Sequence, residues 1–165
     1  MPATLISGLE AVALVYKLNN GLVTRGLEEL SEDDFWAKPG DRANPIGWIL
    51  GHITESRATV LGELGEPMGL PWGERRFSRG GALVARSAYP ERAVLEEAWR
   101  ATGGRMRGAF AGLTPERLDA VPKKQGLPGV TNVATLIGFF AFHESYHVGQ
   151  LGYARRLLGF KGIAD

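Results

Sequence analysis

The sequence predicts an all-α protein, a four-helix bundle forming a single domain over residues 1–165. Two observations carry that expectation. Four segments space their apolar residues at three- and four-residue intervals, the period of a helix that buries one face. No segment alternates convincingly as a half-buried strand does, and no internal repeat is present. A chain of 165 residues, 44% hydrophobic, is long enough to bury one sizeable core. Amphipathic helices of this number bury their faces most simply against each other.

The first helix is expected over residues 3–30, with Ile6, Leu9, Val12, Ala13, Tyr16, Val23, Leu27 and Leu30 inward. Asn19, Asn20 and Gly21 interrupt it, but the apolar phase of Tyr16 resumes at Val23, seven residues on. One continuous helix with the polar pair facing a cavity or a neighbouring subunit is favoured, a solvated bend being the alternative. Ser31 to Asp41 is a connector in which Ser31-Glu32-Asp33-Asp34 starts a helical turn and Pro39-Gly40 ends it.

Asn44-Pro45 starts the second helix, Asn capping free amides and Pro losing no hydrogen bond at the first helical position. It runs to about Leu64, burying Ile46, Ile49, Leu50, Ile53, Val60 and Leu61, with His52 bordering that face and Glu55 and Ser56 a turn later. Residues 65–89 lack a helical period and are rich in Gly and Pro. A loop of this length is expected either to cover a pocket through Met68, Trp72 and Phe77 or to pack those residues on the bundle.

Pro90-Glu91 opens a third helix with Val94, Leu95, Ala98, Trp99, Thr102, Met106 and Phe110 inward. Gly103-Gly104 weakens it by about 1 kcal/mol per glycine. Thr114-Pro115-Glu116 caps a short turn, and Thr131 or Asn132 caps the last helix, which Gly159 ends. Arg155 and Arg156 suit its C-terminal dipole.

That last helix, LIGFFAFHESYHVGQLGYARRLL, holds the chemistry. Leu136, Ile137, Phe140, Val148, Leu151, Ala154 and Leu158 form its apolar stripe, and His143 and His147 fall within it, one turn apart. Two adjacent inward imidazoles cannot both be satisfied by hydrocarbon, whereas a divalent metal ion satisfies both. The chain has three histidines, and the third, His52, lies in another apolar run. A two-plus-one donation from facing helices is ordinary for a bundle, and three histidine ligands leave a coordination position open. Gln150 shares the face of His147 and can orient a ligand or bound water, or make an interhelical hydrogen bond. Glu55 is the best carboxylate for a base or outer partner, against a plain solvent-facing charge. Glu144 and Tyr146 are turned about 100° from their histidine neighbours and are not taken as ligands.

Composition narrows the classes. With no cysteine, thiolate metal sites, disulfides and a cysteine nucleophile are excluded. Lys plus Arg number 19 against 18 for Asp plus Glu, so nothing calls for nucleic acid or an anionic membrane as partner. Glu10 interrupts the amino-terminal apolar stretch, which does not read as a signal peptide, and no apolar run approaches a membrane span. A cytoplasmic protein acting on a small-molecule substrate is expected.

The segments H-E-S-Y-H-V-G-Q-L, Y-A-R-R-L-L-G and N-P-I-G-W-I-L-G-H-I resemble the two signature regions of the DinB/YfiT-like metalloenzyme superfamily. The resemblance implies an up-down-down-up four-helix bundle, commonly homodimeric, with a divalent metal such as zinc or nickel held by three histidines. It places those ligands at His52, His143 and His147. Many relatives carry Arg or His after the last ligand where this chain has Val148, which leaves the ligand set intact but gives no counterpart here to a substrate contact made by that Arg or His. The family includes S-transferases and isomerases that use low-molecular-weight thiols. A thiol-dependent S-transferase is therefore the leading expectation, followed by a metal-dependent hydrolase and a non-enzymatic metal- or small-ligand-binding stress-response protein.

Overall fold

A computed structural model describes residues 7–73, 76–77 and 85–164. Six α-helices occur among the described residues, with no strand: α1 (Ser7–Leu27), α2 (Glu32–Trp36), α3 (Ile46–Glu63), α4 (Arg92–Ala111), α5 (Pro115–Asp119) and α6 (Val133–Leu157). A 3-10 turn spans Arg86–Ala88. The four long helices form the bundle, α3 lying against both α4 and α6 while α1 packs chiefly on α6.

Two core clusters give the helix directions. One gathers Val23 and Leu27 of α1, Ile49 and Leu50 of α3, Leu95 and Trp99 of α4, and Leu151 and Ala154 of α6. The other gathers Leu9 and Tyr16, Val60 and Leu61, Met106 and Phe110, and Leu136 and Ile137. Helices α1 and α6 thus run one way and α3 and α4 the other, in the expected up-down-down-up order.

Local chemistry explains the ends. Ser31 accepts from the Asp34 amide while the Asp34 carboxylate accepts from the Ser31 amide, a reciprocal cap that lets five residues hold a helix. Asn132 and Thr135 cap α6 in the same manner, settling the choice between Thr131 and Asn132. Thr114 caps α5, and Gly159 (φ 91°) lies just past the end of α6.

Several expectations are corrected. Asn44 does not cap α3; Pro45 occupies the cap with no side-chain hydrogen bond, because ψ of 153° there keeps it outside the helix and puts Asn44 one residue too far away. Val94 is 37% exposed, turned outward beside the buried Leu95. Arg155 does not merely sit at the α6 dipole: it is buried and donates to the carbonyls of Lys161, Gly26 and Glu28, tying the C-terminal segment to the end of α1. Of the first helix's expected inner face, Ile6 lies outside the described residues. As expected, α1 runs continuously through Asn19 and Asn20.

Candidate metal centre

His52 on α3 and His143 and His147 on α6 converge, their candidate ligand atoms lying within 4.8 Å of one another. The ring centroids of His52 and His143 are 5.0 Å apart, and His147 is 4.5 Å from each. None of the three rings is exposed. The spacing of one helical turn supplies the α6 pair, and the antiparallel packing of α3 on α6 supplies the third ring.

The outward nitrogens of two rings are already committed. His52 Nδ1 donates to the Phe77 carbonyl at 2.7 Å, and His147 Nδ1 donates to Gln150 Oε1 at 2.8 Å. Each bond holds the proton on Nδ1, leaving the Nε2 lone pair free. His52 Nε2 faces His143 Nε2 at 3.1 Å. Two nitrogens at that distance need something positive between them, a proton on one ring or a metal ion. Burial lowers the pKa of His52, and burial with the neighbouring His52 lowers that of His147 to about 4. Neutral rings are the form a metal ligand requires. Three nitrogen donors so arranged can hold one divalent cation.

The surroundings reach this centre from three directions. Trp48 stacks on His52 with centroids 5.0 Å apart, and Phe139 and Phe140 lie against His143. Glu55 is not a solvent-facing charge and does not join the three rings. Its Oε1 accepts from the Phe77 amide and from the Trp72 indole, each at 3.1 Å, so it anchors the segment whose carbonyl orients His52. Burial raises its pKa against the lowering effect of those bonds. Gln150 sits where its helical phase put it, against His147. Ser56 turns back to the His52 carbonyl of its own helix.

The long loop both packs on the bundle and serves the site. Phe77 is fully buried, stacks on Tyr89, and occupies the space beside Gly51, where a Cβ would come within 2.5 Å of its ring. Trp72 and Met68 pack partly buried on the two core clusters. Val148 is 1% exposed and packs in the core.

Sequence reasoning missed Arg57 and left Glu144 without a role. Both are 1% exposed and form an ion pair at 2.6 Å beside His143. A signal for Glu144 existed: Ile137, Ala141, Glu144, Val148, Leu151 and Arg155 share helical spacing, so the buried face is wider than the apolar stripe and has charges in it. Beyond Gln150 a groove of about 450 Å³ opens, walled by Asp41, Arg42, Asn44, Ile49 and Tyr153. Among the described residues no helix is long and apolar enough to cross a membrane.

Comparisons with known proteins bear on the fold and the family. The crystal structure of a conserved protein from Enterococcus faecalis superposes with a TM-score of 0.72 over 95% of this chain and 97% of that one, at 13% identity, which shows a shared fold. No curated protein matches the sequence. The sequence profile of the DinB superfamily matches residues 20–151, a span that contains all three histidines. The chain belongs to the DinB superfamily.

Proposed function

We propose that His52, His143 and His147 hold a divalent metal ion, zinc or nickel, and that the protein is a metal-dependent enzyme transferring a low-molecular-weight thiol to an electrophile. The observation that carries the metal reading is the convergence of one ligand nitrogen from each of the three histidines within 4.8 Å, while His52 and His147 spend their outer nitrogens on Phe77 and Gln150. When bound, the ion supplies an open Lewis-acid position that lowers the pKa of a thiol or water. Three neutral ligands leave its full charge uncompensated, which favours an anion such as thiolate.

The chain's own residues prepare that position. Phe77 and Gln150 fix the tautomers of His52 and His147, and burial keeps both rings unprotonated at neutral pH. Trp48 and Phe139 wall the rings with aromatic surface. The adjoining groove has room for a small molecule. In the transfer, a sulfur–carbon bond forms as the leaving group departs with its electron pair, and the thiol proton passes to water. The protein contributes no thiol of its own, so the cosubstrate supplies the sulfur.

Metal analysis of untagged protein tests the first half. One divalent ion per chain is expected in the wild type and loss in His52→Ala and His143→Ala; absence from the wild type overturns the site. Incubation with a small thiol and an aryl halide tests the second. Thioether formation that disappears with chelator supports transfer, and activity that survives complete metal removal overturns it. Chelator-sensitive hydrolysis without added thiol would favour a hydrolase instead.

A further inference from the structure

All four long helices meet at one buried ion pair. From α3, Arg57 donates through Nε to Glu144 Oε2 at 2.6 Å and through Nη2 to Glu144 Oε1 at 2.8 Å. Its third nitrogen, Nη1, donates to Asn20 Oδ1 of α1 at 2.8 Å, and its guanidinium lies 3.5 Å from the Trp99 ring centroid of α4. The neighbouring Asn19 donates to Glu144 Oε1 and to Ser145 Oγ, both at 3.1 Å. Gly103 of α4 makes room for this: a Cβ there would stand 3.1 Å from Arg57 Nη1 and 3.2 Å from Asn20 Oδ1.

The pair sits on the two helices that carry the histidines. Glu144 follows His143 directly, and Arg57 is five residues beyond His52. An α-helix is stiff, so any rotation of α6 that displaced Glu144 would swing His143 and His147 with it. Apolar packing alone tolerates small slips and exchanges of similar volume. A two-pronged guanidinium–carboxylate contact does not, because it admits one planar orientation. Buried ion pairs contribute little to stability relative to well-packed apolar residues, and their best-attested role is to fix register.

We propose that Arg57 and Glu144 are positioning residues for the metal centre, holding α6 in the rotation and register against α3 that turn His143 and His147 toward His52. The inference rests on the metal reading above.

The test compares the wild type with the double variant Arg57→Met/Glu144→Leu, using cobalt(II) as the probe. Thermal unfolding reports the fold, visible absorption reports the coordination geometry, and competition with a chelator reports affinity. The double variant is expected to fold while binding cobalt(II) at least about tenfold more weakly, with shifted absorption bands. A folded double variant with wild-type affinity and spectrum overturns the proposal, since a merely structural pair would leave both unchanged. Should the double variant not fold, Arg57→Lys carries the test: it keeps the charge and loses the fork. The same weakening supports positioning, and unchanged binding overturns it. A wild type that binds no cobalt(II) overturns the metal centre itself, a result distinct from loss in the variants alone.

Discussion

The carbonyl of Phe77 accepts the Nδ1 proton of His52 at 2.7 Å, joining a loop to the centre of the bundle across 25 residues of chain. A backbone group thereby chooses the tautomer of the histidine. The loop is held in turn by Glu55, whose carboxylate binds the Phe77 amide.

Removing Glu55 should therefore weaken metal binding without touching a ligand. In Glu55→Ala the Phe77 amide and the Trp72 indole both lose their acceptor. Cobalt(II) or zinc affinity is expected to fall about tenfold, toward the lower end of outer-partner effects. Titration against a chromophoric chelator measures this; affinity equal to wild type would show that the loop holds its place unaided.

Gln150→Leu keeps the volume and removes the acceptor for His147. The expected loss is about 10- to 100-fold in metal affinity, with little change in helix content. Gln150→Glu restores an acceptor and should recover most of the loss. Failure of the Glu variant to recover would mean that the amide acts through the groove it borders.

Gly51→Ala probes the fit of Phe77. The added Cβ would come within 2.5 Å of the ring, so either the ring or the helix must shift. Overpacking of this kind costs about 1–3 kcal/mol. The predicted consequence is a lowered unfolding temperature together with weaker metal binding, because the displaced Phe77 carries the carbonyl that orients His52. Destabilisation with wild-type metal affinity would uncouple the two.

Acid should destabilise the metal-free protein over a defined window. His147 has its pKa lowered from 6.5 to about 4 in the fold, chiefly by burial, so the unfolded chain binds a proton more readily than the folded one between those values. Stability rises with pH wherever the unfolded state holds more protons. The contribution of His147 is thus fully present above pH 6.5, declines as pH falls, and is lost by about pH 4. Urea unfolding at stepped pH reads the slope, which should be shallower in His147→Gln. An unchanged slope in that variant would assign the acid sensitivity elsewhere.

Much of this protein is local and therefore legible in its residues. Helical spacing located the four long helices, and short-range capping placed the starts of α2, α5 and α6, since these depend on neighbours three or four positions apart. The inward pair His143 and His147 follows from the same periodicity, and Gln150 follows from its phase. One local rule misled: Asn44-Pro45 read as a cap followed by the first helical residue, and the backbone put the proline itself at the cap.

What only the tertiary structure decided is every contact that spans distant chain. The meeting of His52 with His143 joins positions 91 apart, and Arg57 with Glu144 joins positions 87 apart. No periodicity encodes which face of α3 meets which face of α6, because that depends on packing all four helices at once. The Phe77 carbonyl lay further out of reach, since every residue carries such a group and side-chain chemistry does not mark the one that will matter. The sequence by itself determined that three histidines would turn inward; the packing of α3 against α6 and the path of one loop determined that they would meet.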